Sequence, residues 1–198
     1  MLKALVVVAH PDDETIWMGG TILQNPSWDW TILSLCRGQD KDRAPKFKRV
    51  CNRYGATCMM TNLDDEHMRP LKTREIINSI KENVHTDSFD YIFTHGKNGE
   101  YGHRRHKEVH RAIKKMVSTG EFNCKKLLFF SYHPGKELTP GMPELRIPIP
   151  KGDQITKLKA KEYKKKIDLI QNTYGFTSES FERLSCHNEE TSTCVRQT

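Results

Sequence analysis

The stretch Ala9-His10-Pro11-Asp12-Asp13-Glu14 sets an imidazole and three carboxylates directly behind an apolar run. Side chains of these types ligate divalent cations and exchange protons with water. Pro followed by acids is also an ordinary helix start, because early carboxylates complement the helix dipole. That reading leaves unexplained a His with an acid three residues on, His10 and Asp13, whose spacing lets both converge on one metal ion. A second concentration follows at His103-Arg104-Arg105-His106-Lys107-Glu108-Val109-His110, where His103, His106 and His110 share one face of a regular helix. Taken singly, each His is more often a surface or hydrogen-bonded residue than a ligand.

What raises their standing together is the framework that must carry them. Runs rich in Val, Ile, Leu, Phe and Thr at residues 2–9, 30–35, 56–61, 90–94 and 126–132 read as strands. Helical patterns lie at about 13–24, 43–54, 73–85 and 106–119, with Gly55 as a C-terminal cap. Several strand runs are continuously apolar, as in a sheet covered on both faces. The expectation is a three-layer, Rossmann-like α/β fold with a mostly parallel sheet of about five strands, and such folds bind ligands beyond the carboxyl ends of their strands. His10 follows the first strand, and His103 and His106 follow the fourth through a loop containing Gly96, Gly99 and Gly102. The Pro-rich stretch 134–152 is expected as an irregular excursion that could contribute a substrate wall, and 155–173 as a lysine-rich final helix. Residues 1–185 read as a single domain and 186–198 as a mobile polar tail.

The chemistry that fits this constellation is metal-assisted hydrolysis of an acyl amide. Zn²⁺ commonly takes three protein ligands and leaves a fourth position to water, and His10, Asp13 and His106 are the ligand candidates. Asp12 is placed to act as general base, and His103, if protonated, to face the developing oxyanion. His95, Glu100, His110 and His133 fall nearby with nothing in the sequence to assign them a role.

Bulk properties narrow the setting. The chain has 198 residues with 29% charged and 36% hydrophobic, and no stretch approaches the roughly 18 apolar residues of a membrane span. The apolar run at 5–9 is too short for a secretory signal, and the six cysteines form no C-x-x-C pair, so a cytoplasmic protein with reduced thiols is expected. The net charge of +7 permits anionic partners, but the Lys and Arg residues are not interleaved with aromatics, which disfavours nucleic acid. Nothing in the sequence decides oligomeric state, and a homo-oligomer is compatible with it.

The segment Ala9 to Glu14 resembles the A-H-P-D-D-E signature of the PIG-L/LmbE family of zinc-dependent N-acetylglucosaminyl deacetylases. The likeness continues through Gly19-Gly20-Thr21, through Leu35-Cys36-Arg37-Gly38 with Arg43 and Gly55, and through Gly102-His103-Arg104-Arg105-His106, similar to the family's G-H-P-D-H. It implies zinc on His10, Asp13 and His106, Asp12 as base, His103 on the oxyanion side, Arg43 in contact with the sugar, and a small N-acylated sugar conjugate as substrate. Two departures add positive charge: Arg104-Arg105 stands in place of Pro-Asp, removing an acid that could orient a ligand histidine, and Lys46 where Glu is frequent. An anionic conjugate is the expectation that follows from them. The competing readings are a metal-dependent amidohydrolase for a non-sugar substrate and a basic nucleic-acid-binding module. A nucleotide-binding oxidoreductase is disfavoured, because the first turn is acidic and lacks G-x-G-x-x-G.

Overall fold

Alternation within the first strand fixes the layering. In the computed structural model, which describes residues 1–135 and 144–195, β1 (Lys3–Val8) sends Ala4, Val6 and Val8 to one face of a sheet and Leu5 and Val7 to the other. The first face is covered by α1 (Asp13–Gln24), α2 (Arg43–Tyr54) and a C-terminal helical segment, through Ile16, Phe47, Val50 and Ile170. The second is covered by α3 (Thr73–Asn83) and α5 (Arg104–Ser118), through Ile76, Ile80, Val109 and Ile113. Because both faces are buried at the centre of the sheet, β1 is apolar along almost its whole length and the carboxyl halves of β4 (Ser88–Thr94) and β5 (Asn123–Phe130) are largely so, which is why they were readable as apolar runs.

β2 (Asp29–Cys36) and β4 flank β1, and β3 (Thr57–Leu63) and β5 lie outside them, all parallel. Strand order therefore reverses at β1, and the crevice between the carboxyl ends of β1 and β4 is the switch point where such sheets bind ligands. The expected α/β fold is the observed one, with a larger, mixed sheet of order β3-β2-β1-β4-β5-β9-β8. Gly55 ends α2 in the left-handed region at φ 69°, as expected.

The C-terminal third departs from expectation. The final helix expected over 155–173 begins with a strand, β8 (Gln154–Lys157); α6 (Ala160–Asp168) follows and continues as a π-helical segment, Leu169–Tyr174. A short turn, α7 (Phe181–Leu184), precedes β9 (Glu189–Val195), which runs antiparallel between β5 and β8. Residues 186–195 are thus no tail, and 196–198 lie outside the described residues. The polar composition misleads because Glu190 is buried with partners: its carboxylate meets Lys166 Nζ at 2.7 Å and accepts the backbone N–H groups of Gly20 at 2.6 Å and Thr21 at 2.8 Å. From the Pro-rich excursion, β6 (Tyr132–Pro134) pairs with β7 (Arg146–Pro148), while Pro140 and Pro143 lie outside the described residues.

Replacing Glu190 by Ala removes the ionic partner of the buried Lys166 ammonium, leaving it only the His187 carbonyl at 3.4 Å, which is expected to cost about 3–5 kcal/mol in urea-induced unfolding. Val195→Ser, on the exposed end of the same strand, is expected to stay within about 0.5 kcal/mol.

Candidate active site

His10 leaves β1 at its carboxyl end, and the chain turns sharply into α1 through Asp12, whose φ of 114° is strained for a non-glycine residue. The turn is held because the Asp12 N–H donates to Glu14 Oε2 at 3.0 Å, and the Asp12 carbonyl accepts from Thr15 and Ile16. Glu14 is buried and receives the hydroxyls of Thr15 and Tyr174, and burial pushes its carboxyl up to about 7. The strain aims the Asp12 carboxylate outward, where Arg43 Nη1 meets it at 2.9 Å.

Three side-chain atoms then form a nearly equilateral triangle. His10 Nδ1 lies 3.2 Å from Asp13 Oδ2 and 3.2 Å from His106 Nε2, and the last two are 3.3 Å apart. Ligands on a tetrahedral zinc with bonds of about 2.0–2.1 Å are separated by about 3.3–3.4 Å, so the triangle is one face of such a site. Each ligand atom's residue is held from behind. His10 Nε2 meets Asp65 Oδ1 at 2.8 Å, Asp13 Oδ1 accepts the Trp17 indole N–H at 2.9 Å, and His106 Nδ1 meets Glu100 Oε2 at 2.5 Å.

His95 stacks on His106 with ring centroids 3.8 Å apart, and Asp13, His95 and His106 also lie close enough to share an ion. The lone pair of His95 Nε2 is already used, because it accepts the Ala9 N–H at 2.9 Å while Nδ1 donates to Glu100 at 2.8 Å. That favours His10 as the third ligand. His103 comes within sharing distance of His10 and His106, and its Nδ1 is buried without a hydrogen-bond partner among the described residues.

The charges follow from this crowding. Burial alone would raise Asp13, yet His106 and His95 hold it well below the carboxylate range. Against burial, Asp13 and Glu100 push His106 up to about 10, and His95 and His106 hold Glu100 down at about 2. Burial and the neighbouring Asp13 raise Asp12, with Arg43 opposing. Burial, His106 and His10 bring His103 down to about 3, so it is a neutral imidazole near pH 7 rather than the protonated donor expected from the sequence.

All six residues singled out in the sequence meet at one cleft of about 200 Å³: His10, Asp12, Asp13, Arg43 and His103 line it, and His106 lies directly behind His10. Residues with no assigned role complete it. Asp65 follows β3, Tyr101 lies in the short turn α4 (Gly99–Gly102), and Phe181 and Glu182 begin α7. Among the described residues none of 134–152 lines the cleft and α7 supplies part of its wall, while 136–143 lie outside the described residues. Asp65 was discoverable in principle, being an acid just beyond the carboxyl end of a predicted strand. The positive mouth is not found: Arg105 is buried between Asp64 and Glu108, Arg104 donates to the Met68 carbonyl, and Lys46 pairs with Asp42. His110 Nδ1 donates to the His95 carbonyl at 2.9 Å and His133 Nδ1 to the Pro134 carbonyl at 2.8 Å, both outside the cleft.

The sequence model of the family described as GlcNAc-PI de-N-acetylase (PIG-L) matches residues 5–117. Among curated proteins, Uncharacterized protein L374 of Acanthamoeba polyphaga mimivirus is 21% identical over 126 residues, 55% of this chain, and the chain spans only 55% of that relative's length. The N,N'-diacetylchitobiose deacetylase of Pyrococcus horikoshii superposes with a TM-score of 0.67 at 13% identity, over 98% of this chain and 84% of the other. GalB, the 4-carboxy-2-hydroxymuconate hydratase of Pseudomonas putida KT2440, superposes with a TM-score of 0.66 at 14% identity, over 100% and 98%. At such identities the structural likeness establishes the fold, and the fold carries more than one chemistry. Among the described residues no helix is long and apolar enough to cross a membrane.

A cation at this triangle would compete with the proton that Asp13 and Glu100 hold on His106, whose imidazolium they favour up to about 10. Apparent zinc affinity is therefore expected to rise about tenfold or more per pH unit between about pH 6 and 9, read by chelator competition. Glu100→Ala, which frees His106 to rotate, is expected to weaken zinc binding about 10- to 100-fold.

Proposed function

This chain belongs to the PIG-L family of de-N-acetylases, and from that membership we propose that it is a zinc-dependent hydrolase that removes the acyl group from an N-acetylglucosamine-type conjugate. The observation that carries the reading is the triangle of His10, Asp13 and His106 with the Asp12 carboxylate beside it. Those three residues would hold the ion, which supplies Lewis acidity toward an acyl oxygen and toward water when bound.

The chain's own residues account for the remaining work. Asp12, restrained by Arg43, takes a proton from the attacking water as its oxygen bonds to the carbonyl carbon. Its raised pKa brings it nearer the working pH, and the same proton is then delivered to the amine nitrogen as the C–N bond breaks. His103, neutral and lining the cleft, offers a ring N–H to the oxygen on which negative charge develops. Arg37, Asp65 and Glu182 provide donors and acceptors suited to sugar hydroxyls, and Tyr101 and Phe181 provide apolar faces for the ring. With Arg104 and Arg105 both engaged, the support for an anionic conjugate is withdrawn, and a neutral sugar conjugate fits the carboxylate-rich mouth better.

Asp12→Asn is expected to lower acetate release from N-acetylglucosamine derivatives by about 10²- to 10⁴-fold, with bound zinc unchanged. Chelator should abolish the parent's activity and added zinc restore it. If amines appear only from non-sugar N-acyl compounds, the sugar assignment fails while the hydrolase assignment stands. If water adds to carbon–carbon double bonds and no amide is cleaved, both fail.

A further inference from the structure

Arg105 is buried and Arg104 exposed, yet both donate to backbone carbonyls of the loop between β3 and α3. We propose that they are positioning residues: a latch through which α5 holds the loop between β3 and α3 so that Asp65 stays against His10. The proposal deepens the metal-site reading above and rests on it.

The loop, residues 64–72, has few means of holding itself. Its sequence Asp64-Asp65-Glu66-His67-Met68-Arg69-Pro70-Leu71-Lys72 offers one aliphatic side chain, Leu71, to the core. Its order comes instead from polar groups on α5. Arg105 is only 1% exposed, so its donors must be satisfied within the protein. Nε donates to the Asp64 carbonyl, Nη2 meets Asp64 Oδ2 at 2.8 Å, and Nη1 meets Glu108 Oε2 at 2.5 Å. Glu108 Oε1 in turn accepts the Leu71 N–H at 3.2 Å, so this ion pair grips the loop near both ends. Asp64 spends its remaining capacity on the N–H groups of His67 at 3.1 Å and Arg69 at 3.2 Å. Met68, at φ 51°, turns its carbonyl toward Arg104 Nη1.

The consequence reaches the metal site in one covalent step. Asp65 is bonded to Asp64, and its carboxylate bridges His10 Nε2 at 2.8 Å and Arg37 Nη2 at 2.9 Å. Holding Nε2 leaves His10 Nδ1 facing Asp13 and His106. Arg105 and His106 are consecutive on the first turn of α5, so one turn of helix sets His106 directly and His10 through the loop. A lysine at 105 has a single point charge and no fork to span Asp64 and Glu108.

The test is a zinc-affinity cycle on the full chain, by chelator competition, with the visible absorption of the Co²⁺-substituted protein as a second readout of ligand geometry. Arg105→Met is expected to weaken zinc binding about tenfold or more and to shift the Co²⁺ spectrum in the direction Asp65→Asn shifts it. The double variant should bind no more weakly than Asp65→Asn alone, because the latch acts only through that carboxylate. Arg105→Lys should recover less than half of the logarithmic loss. Arg105→Met that lowers Tm yet leaves zinc affinity within about twofold, or losses that multiply in the double variant, would overturn the latch. Should Arg105→Met not fold, Asp64→Asn takes its place with the same expectation, at least about threefold, and the same refutation. The parent must bind one zinc that His106→Ala abolishes. A parent that binds none removes the metal reading and the latch together, whereas a parent that binds with variants unchanged removes the latch alone.

Discussion

A carboxylate and two imidazoles do not stay within 3.3 Å of one another in a nearly dry site unless something restrains each of them. Here the restraint is a set of back-side hydrogen bonds: Asp65 on His10, Trp17 on Asp13 and Glu100 on His106. Without a cation, the cluster survives by sharing protons, which is why His106 is pushed toward the imidazolium while Asp13 and Glu100 are held as carboxylates. Such a cluster is costly to bury and favourable to metallate, since a divalent ion replaces the proton at the point where the three atoms already converge. Glu100, in the turn before α5, serves both His95 and His106, and its φ of 53° shows that the backbone is bent to bring it there.

The sheet makes this convergence possible. His10 and His95 emerge from adjacent parallel strands, and the register that pairs Val7 with Thr94 brings the Ala9 N–H within reach of the His95 ring. A slip of one residue would turn the apolar side chains of β1 to the wrong faces, so core packing and site geometry are set by the same register. β9 contributes from beyond β5: Glu190 accepts from Gly20 and Thr21, anchoring the body of the helix whose first turn carries Asp13.

How much of this was legible follows from the physics of each part. The five parallel strands and their helices could be read because burial on both faces demands apolar runs, and the clusters at 10–13 and 103–106 because ligand residues have distinctive types and spacings. β9 could not be read, since its buried Glu190 and threonines look like solvent-facing residues until Lys166 and α1 are brought beside them. Glu100 was placed near the site without a role, and Asp65 went unnamed although it follows a strand that could be read, because an acid that orients a ligand has no characteristic spacing in the sequence, only a position in space. The protonation of His103, on which its expected role was conditional, could not be read either, because the imidazoles that favour its neutral form come within 4.7 Å only after folding.

The net charge of +7 permits an anionic partner and Arg104, Arg105 and Lys46 suggested a cationic mouth, but locally the folded arrangement is different. The guanidiniums that line the cleft are matched, Arg43 by Asp12 and Arg37 by Asp65 and Asp40, and Arg105 behind them is held by Asp64 and Glu108. The excess positive charge lies elsewhere, in part on the outer face of α5 at Arg111, Lys114 and Lys115, where the side chains are exposed. Charge counted along a sequence describes the field of the whole molecule, but the polarity of a site is set by pairing within a few ångströms. Here the paired guanidiniums act as fixed donors that orient carboxylates, and the carboxylates in turn orient an imidazole and receive protons. A basic protein has in this way been given an acid-lined cleft, whose polarity suits a cation rather than an anion.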